Sequence, residues 1–188
     1  MSDLHGAGCE DGFLGIHPFV PNQIPEKMIP GNLLEVIVSH VTPVFIDLVR
    51  VETRLYNAVS ARLRAEQGLG LGQFEFLEII DRVPECRVLD IVGELAITVG
   101  AVSKAVDRLA AAGWCVRVAH PEDRRSSVLR LTAEGERLLA ASRPVVESQL
   151  ASLTAAVPPG DLTRIAATLA TLRETLEAGR HGRPGAGA

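Results

Sequence analysis

The chain has 188 residues, 47% of them hydrophobic and 22% charged, with a formal net charge of −4. That composition folds into one well-cored domain, or one domain with an added association region, and no apolar run approaches the ~18 residues that a membrane span needs. A net negative charge excludes indiscriminate nucleic-acid binding, since phosphate affinity depends on local Lys and Arg density; a site for DNA would have to be a patch on an acidic body.

Cys9, Cys86 and Cys115 are an odd number with no CxxC spacing, which suits a reducing compartment better than a disulfide framework. The first Lys or Arg is Lys27, so Met1 to Pro25 lacks the basic start of a secretory signal. A cytoplasmic location in a bacterium is the expectation.

Residues 1–30 hold Pro18, Pro21, Pro25 and Pro30, which block regular helix, together with Phe13, Ile16, Phe19 and Ile24. They are expected to form an extended arm packed on the folded body, with plain disorder as the alternative. Asn32 to Gln67 is helical in pattern, with Phe45, Leu48, Val49, Leu55, Val59 and Leu63 at steps of three and four, and Pro43 marks a point where it can break. After the glycines at 68, 70 and 72, a helix is expected from Gln73 to Arg82, stopped by Pro84, and a short one from Val88 to Leu95. Thr98 is an acceptable N-cap for a helix from Val99 to about Ala112, closed by Gly113 in the left-handed position.

From Trp114 to His120, apolar Trp114, Val116 and Val118 alternate with Cys115, Arg117 and Ala119, and Val128 to Leu131 alternates as well. The polar segment from Pro121 to Ser126 joins them as a hairpin with a charged tip. Thr132 caps a further helix that continues past Pro144, where a kink is expected. A last helix carries Leu162, Ile165, Leu169, Leu172 and Leu176 in a three-four-three-four spacing that seeks a partner helix. Residues 179–188 are expected to fray. The fold class is mainly α with a small β-hairpin (α+β).

Helix, turn, helix and charged hairpin in that order are the parts of a winged helix-turn-helix. Between Lys104 and Arg130 six basic side chains face three acidic ones, a local net charge of +3, so this segment is the expected phosphate-binding face. The alternative is a solvated charged surface.

The string ELAITVGAVSKAVDRLAAAGW followed by PEDRRSSVLRLTAEG closely resembles the MarR (multiple antibiotic resistance regulator) family, with Asp123, Arg125, Leu131, Thr132 and Gly135 at the spacing of the family's wing signature. The resemblance, covering roughly Pro43 to Glu177, implies a homodimer on double-stranded DNA. Its parts would be a helical dimerisation region (31–67 and 133–178) and a DNA-binding lobe (68–132). It also implies a repressor released by a small aromatic or phenolic effector. Thr98, Ser103, Lys104 and Arg108 are the expected DNA contacts of the reading helix, and Arg124 and Arg125 those of the wing in the minor groove; Asp123 would hold the tip by pairing with Arg125. Val99-Gly100-Ala101 departs from the longer polar side chains usual there. Sparse base reading is therefore expected, with Ala101 near a thymine methyl and DNA shape supplying specificity.

His40 and Tyr56 are candidate effector contacts, although ordinary placement suits each singly. His5, Cys9 and His17 could approach zinc but lack a fourth ligand, so no metal and no cofactor is expected. Oxidation of Cys86 or Cys115 offers a thiol-responsive alternative, and a protein-interaction module without DNA another. No GxSxG, HExxH or phosphate-loop pattern occurs, so no enzyme activity is expected.

Overall fold

The computed structural model describes residues 33–119, 127–179 and 181–182, and side-chain exposure from residue 39 onward. The chain divides into two compact units, Met1–Ile46 and Asp47–Ala188. The elements in order are α1 (Leu33–Gln67), α2 (Leu71–Arg82), α3 (Val88–Leu95), α4 (Val99–Ala111), β1 (Cys115–Ala119), β2 (Ser127–Leu131), α5 (Ala133–Leu153) and α6 (Pro159–Ala178). Pro43 lies inside α1, so the break it allows is absent, and Pro144 lies inside α5, which continues past it as expected.

In the first unit the described residues belong to α1, and Val41, Val44, Phe45 and Ile46 are exposed.

In the second unit, Val59 and Leu63 of α1 enter a core with Leu77 and Ile80 of α2, Ile91 of α3, Val102, Val106 and Leu109 of α4, Leu129 of β2 and Leu139 of α5. α2 begins at Leu71, two residues before the position the sequence suggests. The cause is a pair of side chains: Gln73 Oε1 accepts from the Gly70 backbone N–H at 2.8 Å, and Ser60 Oγ of α1 accepts from that of Leu71 at 3.1 Å. Burial in α2 falls on Phe76, Leu77, Ile79 and Ile80, while Phe74 is half-buried. Arg143 of α5 donates to Glu78 at 2.6 Å and Asp81 at 2.7 Å, clamping α5 onto α2. Those two hydrogen bonds, Glu78 first, push the guanidinium pKa up.

β1 and β2 pair antiparallel, with Cys115 opposite Leu131 and Val118 opposite Val128. Cys115 is buried, whereas Val116 and Val118 are exposed. The hairpin is held to the core by the Leu129 N–H, which donates to the Cys86 carbonyl at 2.7 Å. Thr132 joins the end of β2 to the start of α5: its Oγ1 accepts from the Gly135 N–H at 3.0 Å and donates to the Gly113 carbonyl at 2.6 Å. Gly113 itself has φ +78°, the left-handed cap expected after α4.

Candidate nucleic-acid interface

α3, the turn at Ala96 and Ile97, and α4 form the helix-turn-helix, and β1 and β2 are the wing strands. Ala96 adopts φ +51°, which ends α3 and turns the chain toward Thr98. Thr98 Oγ1 accepts from the Ala101 N–H at 3.2 Å and fixes the first turn of α4. Val102, Val106 and Leu109 are buried by this helix, so its opposite face, with Gly100, Lys104, Asp107 and Arg108, points outward.

Lys104 and Arg108 are exposed and have no ion-pair partner among the described residues; Ser103 is half-buried. Arg117, in contrast, is tied to Asp107 at 3.0 Å across β1 and α4. That pair removes one positive and one negative charge from the segment the sequence marked as basic. Arg130, exposed on β2 opposite Val116, adds a cation beside the wing. Asp123, Arg124 and Arg125, and the expected Asp123–Arg125 pair, lie outside the described residues.

A cavity of about 330 Å³ opens between α1, α2 and α4, lined by Tyr56, Arg64, Gln73, Phe76, Arg108 and Leu109 among others. Two glycines leave the room for it. A Cβ at Gly72 would stand 2.9 Å from the Tyr56 hydroxyl, and one at Gly70 would stand 3.1 Å from Arg64 Nη2. Arg64, like Arg108, has no ion-pair partner among the described residues. Two guanidinium groups, a phenol and a phenyl ring around one space favour a flat anion: the charge can be met bidentately and the ring stacked. Tyr56, a candidate contact named from the sequence, lines this space. Arg64 was not named, because its position in the last turn of α1 says nothing until α2 and α4 pack beside it. His40 is exposed, in the first unit.

Cys86 and Cys115 are both buried free thiols. Burial, with Asp90 adding to it, pushes Cys86 up to about 11, and burial raises Cys115 as well. Neither has the exposed, low-pKa setting of a reactive thiol. Among the described residues no helix is long and apolar enough to cross a membrane, and no group of three or more His, Cys, Asp or Glu is arranged to hold a metal.

This order of elements and this outward helix define a winged helix-turn-helix protein. The MarR family model matches residues 69–127, the helix-turn-helix and the first wing strand. Solved structures agree with the fold. A cysteine-to-serine mutant of MarR from E. coli, complexed with operator DNA, aligns with TM-score 0.65 at 19% identity over 71% of this chain and 95% of that one. Sco3205 from Streptomyces coelicolor, a MarR family regulator in complex with DNA, aligns with TM-score 0.66 at 22% identity over 72% and 90%. The transcriptional repressor CouR, bound to a 23-mer duplex, aligns with TM-score 0.64 at 26% identity over 78% and 99%. Comparison with curated protein sequences gives no match.

Proposed function

We propose that this chain is a cytoplasmic, homodimeric DNA-binding transcription regulator, a repressor released by a small aromatic anion. The observation that carries the reading is the outward face of α4. It presents Lys104 and Arg108, without ion-pair partners among the described residues, in a fold whose solved relatives include proteins bound to duplex DNA, MarR on its operator among them. In this reading α4 enters the major groove. Thr98, Ser103, Lys104 and Arg108 contact phosphates or base edges, and Arg124 and Arg125 reach the minor groove from a tip shaped by Asp123.

Dimerisation is supported by α6. Leu162, Ile165, Leu169, Leu172 and Leu176 are each 37–49% exposed, a continuous apolar stripe that a second copy would cover. The repressor assignment follows CouR, which is described as one. The effector assignment follows the cavity. Arg108 lines it and also stands on the DNA-facing helix, so an anion bound there draws on the same guanidinium that a phosphate would use. A small anion thus competes with DNA at one side chain and needs only a few kcal/mol of preference for the DNA-free state to shift the population. The buried thiols argue against direct oxidation of Cys86 or Cys115 as the signal.

The test is fluorescence anisotropy with labelled duplex from the chain's own upstream intergenic DNA, titrated with salt and with benzoate derivatives. A steep salt dependence and sequence-selective binding are expected, with Arg125→Ala weakening binding while the melting temperature holds. Arg64→Ala should keep DNA affinity but blunt release by the aromatic anion. Absence of binding at low salt overturns the reading in favour of a protein-interaction module.

A further inference from the structure

The first turn of α4 opens the face that the helix turns outward, and its first three residues, Val99, Gly100 and Ala101, offer no side chain that can read a base by hydrogen bonding. With Val102, Val106 and Leu109 buried, helical spacing sets Gly100 and Lys104 in line at the centre of the outward face with Ala101 beside them, while Val99, which begins the buried stripe, stands at the helix's N-terminal end, the end that a recognition helix turns toward base edges. Val99 is 49% exposed, so its methyl groups are open to a ligand. Ala101 is exposed too. The neighbouring hydroxyl, Thr98 Oγ1, is fixed in place by accepting the Ala101 N–H at 3.2 Å, which leaves its own proton to donate to a phosphate oxygen or a base edge. A Cβ on Gly100 would meet no atom within 4 Å, so the protein's own packing does not call for glycine at that point. The result is one helical turn of methyl groups around a bare backbone, with polar reach resuming at Lys104.

We propose that Val99, Gly100 and Ala101 are specificity-determining residues that read the C5-methyl group of a pyrimidine in the major groove. This assignment, which rests on the DNA-binding reading above, names the feature that α4 recognises. In the major groove, purines and cytosine are told apart by donors and acceptors, whereas thymine also carries a methyl group. A surface without donors or acceptors leaves that methyl as the feature with a complementary partner. Val99 and Ala101 supply the apolar contact, and Gly100, without a side chain, lets the helix backbone come close enough for both to reach. The same surface accepts 5-methylcytosine, which carries its methyl group at the same ring position.

The experiment starts from duplexes enriched by the full chain out of a randomised pool. Each thymine of an enriched duplex is replaced in turn by deoxyuridine, which removes the methyl and keeps the hydrogen-bonding edge. Expected is a loss of about fourfold in affinity for each contacted methyl, the size of one buried methyl group, at one or two positions per half-site. At those positions cytosine should bind more weakly than 5-methylcytosine. Val99→Ser, at an exposed position, should melt with the wild type yet bind the thymine and uridine duplexes alike. Equal binding of the thymine and uridine duplexes at every position overturns the assignment while leaving DNA binding intact. Full thymine preference in both Val99→Ser and Ala101→Ser also overturns it, since other groups would then be reading the methyl. Failure of any duplex to enrich overturns the DNA-binding reading itself, and this assignment with it.

Discussion

Substitution of Gly135 by alanine should damage the junction between the wing and α5 more than any other single methyl added to a glycine of the second unit. A Cβ at Gly135 would lie 1.9 Å from the Trp114 carbonyl oxygen and 2.9 Å from its carbon, both inside the 3.0 Å that real Cβ atoms keep from their neighbours. The carbonyl cannot simply swing away. It accepts the Thr132 N–H at 3.1 Å, and the Trp114 N–H donates to the Leu109 carbonyl at 3.0 Å. Overpacking of this kind costs about 1–3 kcal/mol, and a strained backbone hydrogen bond about 1 kcal/mol more. Alanine's better helix propensity returns up to about 1 kcal/mol. At the middle of each range the net is about 2 kcal/mol, or a melting temperature lower by roughly 4–8 °C for a chain of this size. Thermal unfolding followed by circular dichroism measures it, with Gly100→Ala as the companion. There the new methyl meets nothing within 4 Å, so the melting temperature should hold or rise by a few degrees. A Gly135→Ala protein melting within about 2 °C of the wild type, or a Gly100→Ala protein falling as far as Gly135→Ala is expected to, would refute the packing account of both glycines.

Three further outcomes are expected. Thr132→Ala removes the cap on Gly135 and the hydrogen bond to the Gly113 carbonyl, and should cost about 1–2 kcal/mol in urea unfolding, whereas Thr132→Ser keeps both bonds and should stay within about 0.5 kcal/mol. Arg143→Ala breaks both ion pairs to α2, yet all three groups are about a third or more exposed; solvent screening holds the loss to about 1 kcal/mol, and a double-mutant cycle with Glu78→Ala should show a coupling that shrinks in about 1 M salt. The thiol of Cys86 has a pKa of about 11 in the fold against 9.0 ordinarily. Its contribution to stability is therefore complete below pH 9 and declines as pH rises toward 11, because the unfolded chain loses the proton first. In a Cys9→Ser background at about pH 8, with the labelled site read by peptide mass spectrometry, iodoacetamide should label Cys86 of the native protein about 100-fold more slowly than in the urea-unfolded one, in keeping with the smaller thiolate fraction; labelling of native Cys86 at the unfolded rate would show that it is accessible after all.

The order of elements was legible in the sequence because each boundary is a local event. Thr98 and Thr132 cap the helices that follow them, Gly113 takes the left-handed cap, and the spacing of Val102, Val106 and Leu109 predicts the buried side of α4. The alternation in β1 was equally plain, but it could not choose a side. Packing on the core took Cys115 inward and left Val116 and Val118 outside. The start of α2 was misplaced by two residues because it is set by Ser60, eleven positions upstream of the Leu71 N–H that it accepts. The same holds for the site. The sequence showed a basic segment, and only the fold showed Arg117 neutralised by Asp107 with Lys104 and Arg108 left to face outward. Arg64 and Tyr56 likewise meet Arg108 around one cavity only when α1, α2 and α4 are assembled. Capping, turn and periodicity signals act between neighbours in the chain and are written there. Charge pairing, cavity shape and the room left beside a glycine depend on side chains brought together from distant positions, and these the tertiary structure decided.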